Sequence, residues 1–151
     1  MNRKQVGAFL KIMSNDQVRP VLCTAYVDVF RGKTVLVATD SYILTAVYIP
    51  DIDEDMIGKV ITRKAMEIWY KLADGKSYFD SETIRELVLD DERNNRNTDM
   101  QYPKWQSIVE KLEQSAVDTI AFNADYVKKV QDLNGTAGLT LELNGKLGGM
   151  V

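Results

Sequence analysis

The sequence predicts an α+β fold in which helices cover one face of a largely antiparallel sheet. Apolar residues with helical spacing alternate with short strand-like stretches, and this helix-plus-strand order occurs three times along the chain. Tight turns separate several of the short strands, which favours antiparallel neighbours. The chain has 151 residues, 45% of them hydrophobic, which suffices for one domain with its own core.

The first unit opens with a helix predicted over residues 3–13. Its apolar residues Val6, Phe9, Leu10 and Met13 recur at the spacing that places them on one buried stripe. The basic residues of this segment fall off that stripe, so we expect them at the surface.

Three strands are predicted to follow, over residues 20–30, 34–39 and 43–49. The first alternates apolar residues with period two, as a strand with one buried face does. Gly32 supplies the permissive backbone for the turn between the first two strands. A tight turn at 40–41 joins the second strand to the third.

The second unit contains a short strand over 59–61 and a helix over 63–73, which an acidic loop separates from the first unit. Short strands over 77–80 and 86–89 and a polar loop over 90–98 complete it. The side chains that we expect the helix to turn inward are Met66, Trp69, Tyr70 and Leu72.

The third unit begins with a strand predicted over 118–122. Asn123 is a good N-cap for a helix over 124–133, because its side chain can accept a hydrogen bond from an amide of the first turn. A strand over 139–143 and a returning strand over 147–151 follow, and the Asn-Gly pair at 144–145 is a strong hairpin signal.

Composition narrows the class of function. The chain has no histidine, and thus lacks the commonest general base and metal ligand, so we expect no catalytic residue, no metal and no cofactor. The net charge of −3 argues against a protein that coats nucleic acid with its whole surface, but it permits a basic strip on one face. The absence of a secretory signal or membrane span, and the single Cys23, indicate the cytoplasm.

Three stretches of the chain occur in an informative order. Residues 35–44 contain the turn Ala-Thr-Asp-x-x-x-Leu, residues 102–105 read Tyr-Pro-Lys-Trp, and residues 121–123 read Ala-Phe-Asn. In this order they resemble the family of the bacterial sliding clamp, the β subunit of DNA polymerase III. The similarity is to its middle domain and part of its last domain.

The resemblance implies a DNA-clamp-like fold in three parts. Residues 1–100 would form a clamp-like domain of two helix-and-strand units, and residues 101–117 a connector. Residues 118–151 would be a third unit that is partial or packed on the first domain.

The resemblance also implies the function. The protein would be a DNA replication and processivity factor, not an enzyme, that self-associates, holds double-stranded DNA without reading its sequence, and docks short peptides of DNA polymerase or other replication proteins. The implied DNA-facing residues are Arg3, Lys4, Lys11, Arg63, Lys64, Lys71, Lys128 and Lys129. The implied peptide pocket consists of Leu22, Thr39, Ser41, Tyr42, Leu44, Pro103 and Ile108.

Other functions remain open. The family's turn carries Gly after the Asp, where this chain has Ser41, so one alternative is a clamp-derived interaction module of a phage or mobile element that does not encircle DNA. An enzyme that uses magnesium bound by the carboxylates at 51–55 or 90–92 is a second. An unrelated interaction domain with an exposed aromatic patch is a third.

Overall fold

The computed structural model describes residues 1–96, 100–110 and 123–135, together with the backbone at 143–144 and 149–150. None of the helices in these ranges has the length and apolar character needed to cross a bilayer. The helices are α1 (Arg3–Ile12), α2 (Arg63–Leu72), α3 (Ser81–Arg93), α4 (Gln106–Val109) and α5 (Ala124–Asn134). The strands are β1 (Thr24–Phe30), β2 (Lys33–Thr39), β3 (Leu44–Tyr48), β4 (Val60–Thr62), β5 (Leu143–Asn144) and β6 (Gly149–Met150).

Four strands form an antiparallel sheet in the order β3-β2-β1-β4. This confirms the α+β class and the antiparallel sheet. The β1–β2 hairpin turns through Arg31 and Gly32, whose φ angles of 50° and 74° are both left-handed. Two left-handed residues give the turn a twist that matches the right-handed twist of the strands.

One face of the sheet, here called the inner face, packs against α1, α2 and α3. Its buried side chains belong to Ala25, Val27, Leu36, Ala38 and Ile61. These side chains belong to the same core as the buried stripe predicted for α1. Ile84 and Val88 of α3 complete this core. The predicted apolar stripe of the first helix is therefore confirmed.

The opposite, outer face is covered by residues 102–109, here called the outer segment. Tyr102 stacks on Tyr26 with ring centroids 4.7 Å apart, and Trp105 packs against Phe30 at 5.1 Å. The Trp105 indole donates a hydrogen bond of 2.8 Å to Asp28 Oδ2. The sheet is thus covered on both faces, whereas the sequence had predicted helices on one face alone.

The strand predicted over 86–89 is wrong, because these residues lie in α3. The Asp80 side chain accepts a hydrogen bond from the Thr83 amide and caps the helix, and this bond holds the pKa of Asp80 below its usual value. Ile84, Leu87 and Val88 follow helical spacing and pack on the core. The strand predicted over 77–80 is reduced to a single bridge between Tyr78 and Asn2.

The polar loop predicted over 90–98 is also partly wrong. Residues 90–93 complete α3, and Asp91 is fully buried although it is charged. Asp91 accepts hydrogen bonds from the amide and the hydroxyl of Thr62 at 2.7 and 3.0 Å, and from Arg96 Nε at 2.7 Å. Three donors compensate the loss of water around this carboxylate.

Two smaller predictions also differ. The strand predicted over 20–30 begins at Thr24, because Pro20, with its fixed φ, starts a short 3-10 turn. Leu72 is 82% exposed, since it is the last residue of α2 and lies beyond the core.

The strand predicted over 118–122 lies outside the described residues. Most of the strands predicted over 139–143 and 147–151 lie outside them as well. In this part of the chain, the short strands β5 and β6 pair antiparallel.

Candidate functional site

A groove of about 570 Å³ lies between α1 and α2, on the inner side of the molecule. Basic residues dominate its charged lining, although the protein as a whole is acidic. We call it the cationic groove. Its charged lining residues are Lys4, Lys11, Arg63, Glu67, Lys71 and Asp132.

Gly7 and Tyr70 set the distance between the two helices at the groove. A Cβ on Gly7 would lie only 2.9 Å from Tyr70 Cε2, so the absence of a side chain lets the ring approach α1. Arg3 lies over the same ring at 4.3 Å and its Nε donates to the Tyr70 carbonyl at 3.0 Å. Arg3, a predicted DNA-facing residue, therefore joins α1 to α2.

Arg63 has a similar structural role. Its Nη1 donates to the carbonyls of Leu10 and Met13 at 2.7 and 2.9 Å, and its Nε pairs with Glu67 at 2.8 Å. Carbonyls at the end of a helix lack partners within the helix, so the guanidinium caps the C-terminus of α1. This predicted DNA-facing residue lines the cationic groove, but its guanidinium already holds the helices together.

Four predicted lysines differ from these arginines. Lys4 and Lys11 of α1 and Lys64 and Lys71 of α2 are exposed, and none of their side-chain ammonium groups has a hydrogen bond or ion pair to any residue in the described ranges. On each helix the two lysines are seven residues apart, which places them on one side about 10.5 Å apart along the axis. Three of them line the cationic groove, and Lys64 is exposed outside it.

The lysines also occupy equivalent positions in the two helices. Asn2 and Thr62 are the N-caps, and each side chain accepts a hydrogen bond from the amide three residues later. Lys4 and Lys64 stand two residues after the cap, and Lys11 and Lys71 stand nine residues after it. This correspondence was not predicted, although the equal spacing of the lysines in the sequence could have revealed it.

The two predicted lysines of α5 behave differently. Lys128 lies 3.7 Å from Asp132, and Lys129 lies 3.8 Å from Asp40 of the β2–β3 turn. Neither lines the cationic groove. The structure therefore does not unite all eight predicted DNA-facing residues on one unpaired surface.

The predicted peptide pocket is divided between buried and exposed residues. Leu44 packs against the cluster that Tyr102 and Trp105 form on the outer face. Tyr42 is 80% exposed and Ile108 is 61% exposed. Of the remaining predicted residues, Leu22 and Thr39 are buried, and Ser41 and Pro103 are exposed.

The β2–β3 turn holds Tyr42 outward through a dense set of hydrogen bonds. The Asp40 carboxylate accepts from the amides of Tyr42 and Ile43, both at 2.9 Å. Thr39 Oγ1 accepts from the Ser41 amide at 3.1 Å and donates to the Ile43 carbonyl at 2.7 Å. Ser41 has a φ of 81°, a left-handed value that residues other than glycine rarely adopt.

Replacing Ser41 with glycine is expected to stabilise the fold by about 1 kcal/mol, because glycine removes the cost of the left-handed backbone. Ser41→Ala is the matched control, since it also loses the hydroxyl that accepts from Arg19 but keeps the unfavourable φ. Urea unfolding of the three proteins provides the measurement. A glycine variant no more stable than the alanine variant would show that the turn carries no strain.

Tyr102 leaves one polar atom of the outer face unsatisfied. Its hydroxyl is buried and has no hydrogen-bond partner among the described residues. Burial alone raises the pKa of this phenol far above its usual value, so the group stays a neutral donor. A buried donor thus lies in the same cluster as Leu44 of the predicted pocket.

Arginines engage several of the carboxylates considered for a magnesium site. Asp53 and Asp55 both pair with Arg85, and Arg96 pairs with Asp90 and Asp91. In the described ranges, no group of three or more cysteine or carboxylate side chains is arranged to hold a metal ion.

Comparison with known proteins identifies no relative of this chain. No protein-family model, curated protein or solved structure matches this chain. Its function must therefore be argued from its own residues.

Proposed function

We propose that this protein is a non-catalytic, sliding-clamp-like factor of cytoplasmic DNA replication. It binds double-stranded DNA without sequence specificity through α1 and α2, and it docks short peptides of replication proteins on the outer face. The observation that carries the proposal is the matching set of exposed, unpaired lysines on two neighbouring helices, as far as the described residues extend.

The chemistry of these lysines fits phosphate contact better than base reading. A lysine ammonium is a compact charge on a flexible stem, and it meets a phosphate without the fixed geometry that an arginine offers to a base edge. Phosphate contacts carry no sequence information, so a protein held by them alone can move along DNA. The acidic remainder of the chain would confine the DNA to this side.

The positions of the helices support a repeated, clamp-like unit. The N-caps of α1, α2 and α5 are Asn2, Thr62 and Asn123, so these helices begin about 60 residues apart. In each, a side-chain oxygen of the cap accepts a hydrogen bond from an amide of the first turn. This spacing favours the three-unit organisation that the resemblance implies.

The proposed peptide docking uses the other side of the sheet. Leu44 and the buried Tyr102 hydroxyl lie in the outer cluster, whereas the cationic groove lies beyond the inner face. The exposed side chains of Tyr42 and Ile108 lie next to the buried outer cluster in the predicted pocket, and apolar and aromatic side chains of this kind are what a peptide pocket requires. DNA and a partner peptide would therefore bind without competing for the same surface.

Equilibrium binding to two unrelated DNA duplexes of equal length, at several salt concentrations, tests the DNA function. We expect equal affinities for the two sequences. If each of the four lysines contacts one phosphate, the logarithm of the binding constant should fall with the logarithm of salt at a slope of about −3.6. Binding that prefers one sequence, or that ignores salt, would contradict the proposal.

A clamp-derived module that does not encircle DNA is the second candidate. The pairing of Lys128 and Lys129 with carboxylates favours it, because the third helix then offers less positive charge to a central hole. Native mass with and without DNA separates the two candidates. A ring requires self-association and stays on circular DNA while it slides off linear DNA, whereas a module that does not close a ring shows no such difference.

A further inference from the structure

We propose that α5 opposes DNA binding at the cationic groove, with the Asp132 carboxylate as a built-in counter-charge that limits how tightly the duplex is held. This inference rests on the proposed DNA-binding function and concerns its regulation. It assigns α5 a role opposite to the DNA-facing role that the clamp resemblance implies for its lysines.

The first evidence is a reversal of charge at equivalent helix positions. Two residues after the N-cap, α1 and α2 carry Lys4 and Lys64, whereas α5 carries Asp125. Nine residues after the cap, α1 and α2 carry lysine again, whereas α5 carries Asp132. Both lysine positions of the first two helices are therefore acidic in the third.

The second evidence is the location of Asp132. The Gln5 side chain donates a hydrogen bond of 3.0 Å to the Leu133 carbonyl, and Leu133 is buried in the same core as α1. These contacts fix the end of α5 against α1. They bring Asp132 to the lining of the cationic groove, which it shares with Lys4, Lys11 and Lys71.

The third evidence is the weak local compensation of this carboxylate. Its ion-pair partner among the described residues is Lys128 at 3.7 Å, whose side chain is 72% exposed. The Asp132 side chain itself is 26% exposed, and a long contact to a lysine that is mostly in solvent neutralises its charge only in part. The α5 C-terminus, capped by Gly135 next to Gln5, adds the partial negative charge of its last carbonyls.

A carboxylate in this position lowers the positive potential of the groove without making a phosphate contact of its own. It therefore reduces affinity for every DNA sequence equally. A factor that must move along DNA requires such weak and uniform binding, because tight phosphate contacts would slow its release.

Binding of a random-sequence 20-base-pair duplex to Asp132→Asn at low salt tests the inference. We expect affinity to rise roughly three- to tenfold, because neutralising the side chain restores positive potential next to three lysines. Asp51→Asn is the matched control: it makes the same change in net charge at an exposed residue outside the groove, and asparagine tolerates the φ of 59° there. We expect the control to change affinity less than twofold.

Two further variants make the outcome decisive. Asp132→Lys gives α5 the residue that α1 and α2 carry, so affinity should rise further and the salt slope should steepen by about 0.9. Lys11→Gln should weaken binding. If Lys11→Gln weakens binding while both Asp132 variants bind like the native chain, the counter-charge is refuted and the DNA function stands. If Lys11→Gln has no effect, both fail.

Discussion

Replacing Lys4, Lys11 and Lys71 together with glutamine is expected to abolish most of the affinity for duplex DNA at low salt. These lysines line the cationic groove and have no ion-pair partner in the ranges that the structure describes. If each lysine contacts one phosphate, their loss makes the slope of log affinity against log salt less negative by about 2.7. Between 50 and 200 mM salt, native affinity should then fall about 40-fold more than that of the variant.

A charge-matched control isolates the groove from the net charge. Lys33, Lys76 and Lys104 are exposed and lie outside the groove, so their joint replacement with glutamine removes the same charge elsewhere. Fluorescence anisotropy with a labelled duplex measures both variants across the salt range. Equal losses in the two variants would show that overall charge, and not the groove, governs binding.

Replacing Asp91 with alanine is expected to destabilise the protein by about 3–5 kcal/mol, because one partner of a buried, hydrogen-bonded charge network is removed. The change leaves the Thr62 amide and hydroxyl without their acceptor and removes the buried partner of Arg96. Thr62 is also the N-cap of α2. The start of the helix that carries half of the unpaired lysines therefore depends on Asp91.

Urea unfolding compares Asp91→Ala with Glu92→Ala. Glu92 forms an ion pair of 2.6 Å with Lys59 in which both side chains are well exposed, so its loss should cost less than about 1 kcal/mol. If the two variants unfold at the same urea concentration, the buried carboxylate contributes no more than an ordinary surface charge.

Helices with a long apolar period could be predicted from the sequence, and α1 shows why. Val6, Phe9 and Leu10 repeat over the whole helix, and Asn2 caps it through a side-chain hydrogen bond. By contrast, the sequence pattern predicts a strand over 86–89 and the start of a loop at residue 90, both within the range of α3. Its charged residues at 90–93 resemble a solvated loop, and only the tertiary contact of Asp91 with Thr62 explains its burial.

The candidate site could be predicted only in part for a similar reason. The sequence shows which side chains are basic, but not which already have a partner. Arg63 donates to carbonyls at the end of α1 that are 53 and 50 residues away along the chain, and Lys129 meets Asp40 across the fold. These pairings depend on how the helices pack, so the four lysines left unpaired within the described residues emerge only from the structure.

The alternation along β1 has a mechanical consequence. Val27 points to the layer of helices that forms the groove, and its neighbour Tyr26 stacks beneath the outer segment. If DNA and a partner peptide bind as proposed, a polymerase docked on the outer face would be separated from the duplex by the sheet and by the layer of helices that packs on it. The polymerase and the DNA would then not contact each other across this domain. A force exerted by the polymerase on the outer face would reach the groove through the packed sheet.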